Sequence, residues 1–219
     1  LRLADNAGLY DALKENEHVI PLFIFDTEIL QNLEDKADRR VDFIHQTLQH
    51  LKTQLEESGS SLVVLFGNPL ELWEKIEARS VYTNRDYEPY ARQRDDSVQH
   101  ILEQRGISFN TFKDHVIFDR KEVVKEDGKP YTIFTPYSRK WKSQLTEFYT
   151  KSYPTEKYFK NFQKSEPLGF PSLHDIGFEA TNAVFPERVI KSSIIEHYDK
   201  LRNFPALRGT TQLSVHLRF

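Results

Sequence analysis

Four short apolar runs, each bounded by polar residues, constrain this chain more than any other feature: Val19–Phe25, Ser61–Phe66, Val81–Asn84 and Ile107–Phe112. An unbroken apolar run suits a strand covered on both faces, as in a parallel sheet. Helical patterns separate the runs. Residues 37–57 repeat apolar groups at Val41, Ile44, Leu48, Leu51 and Leu55 and stop at Ser58-Gly59. Gly67-Asn68-Pro69 turns into a helix over Leu70–Ala78, and Glu88-Pro89 opens another that runs to about Gln104 and stops at Arg105-Gly106. Glutamate and proline suit a helix start, where amides are unpaired and negative charge is favoured. Strands alternating with helices predict right-handed crossovers, and so a Rossmann-like α/β fold with a parallel sheet flanked by helices. Residues 5–16 read as a helix capped by Asp5 or Asn6. With no strand ahead of that helix, an N-terminal strand is expected to be missing.

After Phe112 the pattern changes. Asp127-Gly128 signals a tight turn between two short extended stretches, and Thr135-Pro136 starts a helix to about Tyr149 that carries Trp141. Residues 150–183 hold Pro154, Pro167 and Pro171 among scattered aromatics without a clear period. They read as a long linker draped over a surface, because Tyr158, Phe159, Phe162 and Phe170 favour burial. Pro186 then starts a helix with Ile190, Ile194 and Tyr198 in line, which breaks near Asn203-Phe204-Pro205. Arg208-Gly209-Thr210-Thr211 makes a polar turn.

Composition narrows the function classes. Cysteine is absent, which excludes disulfides, thiolate metal sites and cysteine nucleophiles, and suits a cytoplasmic protein. No apolar run approaches the roughly 20 residues a membrane span needs. Methionine is absent even at position 1, so the chain is expected to be a fragment. Net charge is −3, divided into +3 over Glu187–Phe219 and −6 over the rest, so a polyanion would meet the C-terminal end. Chance excess on a solvated face is the competing reading.

The eight histidines show no metal-ligand spacing, and neither a Gly-x-Gly-x-x-Gly fingerprint nor a P-loop is present. Glu88, Arg92 and Asp95 could form a site at a strand end, although spaced charges on an exposed helix are usually only solvated. Gly209-Thr210-Thr211-Gln212-Leu213-Ser214 says more. Glycine permits close approach, hydroxyls follow, and exposed amides at a helix start hold phosphate. A simple helix cap explains the same residues.

The chain resembles the photolyase/cryptochrome family, most closely its bacterial photolyases. The matching pieces are Leu1–Asn6, Pro21–Asp26, Asn84–Asp95, Lys113–Phe118, Phe134–Ser138 and Gly209–Phe219, in the family's order. The resemblance implies an α/β antenna domain over residues 1–130, a helix and linker over 131–185, and from 186 to 219 the opening of a helical domain that binds FAD and damaged DNA. It implies a lyase that splits cyclobutane pyrimidine dimers with an electron from photoexcited reduced FAD. It places Tyr198, Thr210, Thr211, Gln212, Leu213 and Ser214 against FAD and Arg202 against DNA, with no catalytic residue or metal ligand in this stretch. The relay tryptophans of the family lie elsewhere than Trp73 and Trp141. Folate-binding members use a carboxylate that aligns near Tyr90-Ala91, so a deazaflavin or flavin antenna is expected ahead of methenyl-folate, with no antenna chromophore at all as the other alternative. A monomer that is inactive by itself is expected. A cryptochrome-type photoreceptor and a free-standing nucleotide-binding α/β module are the alternatives.

Overall fold

The computed structural model of the protein describes residues 1–218. Its first half alternates as the apolar runs require: α1 (Ala7–Glu15), β1 (Leu22–Asp26), α2 (Thr27–Leu30), α3 (Arg39–Glu57), β2 (Val63–Gly67), α4 (Pro69–Trp73), β3 (Ser80–Asn84), α5 (Pro89–Gln104) and β4 (Ser108–Phe112). The strands are parallel but form two pairs rather than one sheet. β1 runs beside β2 with Phe23 opposite Val64, and β3 beside β4 with Val81 opposite Phe109. Among the described residues no strand pairs with the outer edges of β1 and β3, and a single continuous sheet would need one there.

Local chemistry explains the helix starts. The Asn6 side chain accepts from Leu9 N–H to cap α1, and Asn68 accepts from Leu70 N–H to cap α4. Asp38 accepts from Arg40 N–H at 2.8 Å at the entry to α3. α4 is shorter than its apolar spacing suggests, because residues 74–76 tighten into turns onto Leu70 and Leu72. Its Leu70 and Trp73 pack with Ala78, Val81 and Phe109 around buried Val98, Leu102 and Ile107.

The chain divides into two compact units. The larger takes residues 2–34 and 49–171 and contains all four strands. Its segment 150–171 lies on that body rather than projecting from it. Val19 N–H donates to Asn161 O at 3.0 Å, Gln163 N–H to Val19 O at 2.9 Å, and Thr155 Oγ1 to Leu3 O at 2.8 Å, while Phe162 is buried. The helix expected up to Tyr149 breaks into α6 (Phe134–Gln144) and α7 (Glu147–Thr150), because Leu145 is extended. Gly128 adopts φ 77° and closes a turn from Lys125 to Lys129, but no strands flank it among the described residues.

The smaller unit takes residue 1, residues 35–48 with the first half of α3, and the segment from 172 on. Its helices are α8 (Ser192–Glu196), α9 (Tyr198–Leu201) and α10 (Ser214–Arg218). The helix expected from Pro186 therefore starts six residues later and is interrupted at His197. Val189 and Ile190 are exposed, so burial gives residues 186–191 no reason to coil. The His197 ring sits 2.9 Å from Ser193 O, next to a carbonyl that a continuing helix would use.

Candidate functional site

Two places were expected to carry chemistry, and the first is the strand end near Val81–Asp95. Asp26 closes β1 and is only 5% exposed. Its Oδ1 accepts from Glu28 N–H at 2.9 Å, capping α2, and its Oδ2 accepts from the Tyr90 hydroxyl at 2.8 Å. Arg94, one turn further along α5, approaches the same carboxylate at 3.8 Å and bonds Asp95 at 2.8 Å. Burial, then the Asp26 hydrogen bond, pushes the Tyr90 phenol up. Burial also pushes the Asp95 carboxyl up against the opposing pull of Arg94. This arrangement ties the end of β1 to the start of α5. Ala91 is 4% exposed and its side chain carries no polar atom, and the Tyr90 hydroxyl is already bonded. The residues present therefore do not fit a folate held by a carboxylate at this position. Arg92 and Glu88 stay on the exposed side of the chain.

The second place is the C-terminal segment of the smaller unit. Its frame is the first half of α3. Asp42 is buried there and accepts from Thr181 N–H at 2.9 Å, from the Thr181 hydroxyl, and from Gln46 Nε2 at 2.9 Å. Burial pushes the Asp42 carboxyl up, but the bonds from Thr181 and Gln46 outweigh it and hold it below the ordinary carboxylate range. Phe43 packs edge-on against Phe185 at 4.9 Å and lies 5.4 Å from the His216 ring. His216 Nε2–H donates to Pro186 O at 2.6 Å and Nδ1 accepts from Arg188 Nε–H at 3.3 Å.

On that frame, Tyr198 opens α9 and its side chain is 47% exposed. Arg202 ends the helix, its N–H donating to Tyr198 O at 3.0 Å, and its guanidinium carbon lies 5.5 Å from the Tyr198 ring centroid. Gly209 brings the polar turn against the same helix. A Cβ at this glycine would lie 2.6 Å from the backbone carbon and Cβ of Leu201. Thr210, Gln212 and Ser214 are exposed and Thr211 and Leu213 half-buried, with Gln212 in the left-handed region at φ 56°. Among the described residues, the amides of Thr210, Thr211, Gln212 and Leu213 and the hydroxyls of Thr210, Thr211 and Ser214 have no acceptor within the protein. A run of unpaired donors is what phosphate oxygens require. The predicted residues thus fall on two adjacent elements, α9 and the 209–214 turn. Phe219, the last residue of the Gly209–Phe219 match, lies outside the described residues.

Sequence reasoning missed Asp42, Phe43 and His216 as the frame beneath this turn. The available signal was a carboxylate and a histidine, Asp42 and His45, on the apolar face of an otherwise amphipathic α3. Among the described residues no group of His, Cys, Asp or Glu could hold a metal ion, and no helix is long and apolar enough to cross a membrane.

Comparison with known proteins places the chain. The family model described as DNA photolyase matches residues 1–157. The deoxyribodipyrimidine photo-lyase of Synechococcus sp. PCC 6301 is 32% identical over the whole of this chain and 49% of its own length. Cryptochrome-1 of Aedes aegypti is 29% identical over 58% of this chain. A bacterial class III photolyase from Agrobacterium tumefaciens superposes with a TM-score of 0.73 at 22% identity, over 99% of this chain and 48% of that one. The archaeal photolyase from Sulfolobus tokodaii, solved with two FAD molecules, gives 0.70 at 22% identity, over 99% and 49%. The chain spans about half the length of these photolyases.

Proposed function

The chain belongs to the DNA photolyase family, and on that premise we propose that it is the first half of a light-driven DNA repair lyase acting on cyclobutane pyrimidine dimers. Residues 1–130 form the antenna module, 131–185 the connection, and 186–219 the opening of the FAD- and DNA-binding domain. The protein acts as a cytoplasmic monomer. The observation that carries this reading is the run of unpaired donors at 210–214, held against α9 by Gly209.

When bound, reduced FAD would supply the electron that light drives into the dimer. The chain's own residues bind and orient. The Thr210, Thr211 and Ser214 hydroxyls and the amides of 210–213 take the diphosphate of FAD, and Tyr198 offers an open ring face beside it. Arg202 contacts the DNA backbone, where a cation contributes affinity without reading sequence. In the antenna module, the bonded Tyr90 and apolar Ala91 favour a flavin or deazaflavin antenna over methenyl-folate.

The test is repair itself. The intact protein, reduced and illuminated with blue light, restores an oligonucleotide containing a thymine dimer, and the dark control does not. An intact protein that holds FAD but leaves the dimer in place overturns the repair reading. The cryptochrome alternative gains nothing from a match covering only 58% of the chain.

A further inference from the structure

Two residues assigned above to different ligands touch each other. Arg202 lays its guanidinium over the Tyr198 ring, with the guanidinium carbon 5.5 Å from the centroid. Among the described residues Arg202 has no carboxylate partner, and its charged end lies over the ring. The ring in turn is about half covered and the remainder is open, and Leu201 of the same short helix α9 meets the turn at Gly209. A cation stacked on an aromatic face is held in orientation as well as attracted.

We propose that Arg202 and Tyr198 act as one unit that couples the two ligand sites. Arg202 is a positioning residue for the Tyr198 ring, and the ring in turn pre-orders Arg202 for a phosphate. The inference rests on the function proposed above for its choice of ligands. An arginine side chain loses about 2 kcal/mol of rotamer freedom when it is fixed. A ligand packed on the open part of Tyr198 fixes the stack, so that a polyanion arriving at Arg202 meets a side chain that is already ordered. The converse holds with the same factor, because coupling between two binding equilibria is reciprocal. An exposed stack of this kind corresponds to roughly a two- to fivefold effect.

The test uses the chain itself, with FAD binding followed by flavin fluorescence and binding of a short labelled duplex oligonucleotide followed by anisotropy at low salt. Saturating FAD tightens oligonucleotide binding roughly two- to fivefold, and the oligonucleotide tightens FAD by the same factor. Tyr198→Leu removes that factor. It also weakens oligonucleotide binding without FAD, while the slope of affinity against salt stays as in the wild type, because no charge has been removed. Tyr198→Phe restores what Tyr198→Leu lost. Arg202→Gln reduces the salt slope by about 0.9 and also weakens FAD. A merely electrostatic Arg202 would leave FAD affinity unchanged in Arg202→Gln and oligonucleotide affinity unchanged in Tyr198→Leu, and either result overturns the proposal. So does a wild-type factor of one, or a wild-type chain that binds no oligonucleotide at low salt. If the chain binds no FAD, flavin retention by the intact protein decides the flavin reading, and the flavin-free comparison of Tyr198→Leu with Tyr198→Phe still decides whether the ring orders Arg202.

Discussion

Gly209 makes the candidate turn possible. Any Cβ there would sit 2.6 Å from the backbone carbon and 2.7 Å from the oxygen of Leu201, so Gly209→Ala must push the turn off α9. Overpacking of this kind costs typically about 1–3 kcal/mol. The smaller unit is expected to lose protection of its C-terminal amides in hydrogen exchange, while β1–β4 keep theirs. Equal protection in wild type and variant would mean that the close approach has no energetic consequence. Asp42 offers a second test. Its folded-state carboxyl sits below the ordinary range, so its contribution is fully present above the unfolded-state value of about 3.9 and is lost as pH falls through the folded value. Urea unfolding of the wild type should therefore become easier below about pH 4. In Asp42→Ala the unpaired Thr181 and Gln46 groups should cost about 1–3 kcal/mol at neutral pH, and part of the acid sensitivity should disappear. A variant with wild-type stability and an unchanged acid profile would count against the anchor.

At the scale of elements, the largest single contribution to test is the apolar cluster under α5. Leu102 has no exposure and sits with Val98 and Ile107 against Trp73 and Val81. Leu102→Ala should cost about 2–5 kcal/mol, the range for a deleted core leucine. Trp73 fluorescence should report it as an earlier urea midpoint, and an unmoved midpoint would show that the cluster collapses around the gap. The elements legible in the sequence were those whose pattern is local. The Leu48-Leu51-Leu55 stripe placed α3, Glu88-Pro89 placed the start of α5, and each apolar run placed a strand within three residues at either end. What was not legible depends on distant partners. Whether β1 and β3 belong to one sheet is decided by strand edges, which no local pattern encodes. The helix starts late because Val189 and Ile190 stay exposed, and it breaks where the His197 ring meets Ser193 O, although the spacing of Ile190, Ile194 and Tyr198 is helical. Gly209 and its hydroxyls were visible as a possible phosphate turn. Their frame was not, because Asp42 and Thr181 meet across 139 positions of sequence.

For the whole molecule, the donors at 210–214 form one wall of a site. They approach a ligand from one side, Tyr198 is half open, and the chain spans about half the length of the photolyases it matches. A ligand of FAD's size is normally held with 70–90% of its surface buried, and one turn with one ring face cannot cover that much. The chain alone is therefore expected to bind FAD weakly and reversibly. It should release the flavin during gel filtration and, even with excess reduced FAD and blue light, leave thymine dimers intact. The intact protein should keep its yellow colour through the same column. If the 219-residue chain instead retains flavin in a one-to-one ratio, then the site is complete within this chain. The frame of Asp42, Phe43 and His216 beneath the turn would then have to supply a second wall rather than a support. Asp42→Ala separates these two roles, since a support changes only the stability of the unit, whereas a wall also lowers flavin affinity in the fraction that stays folded.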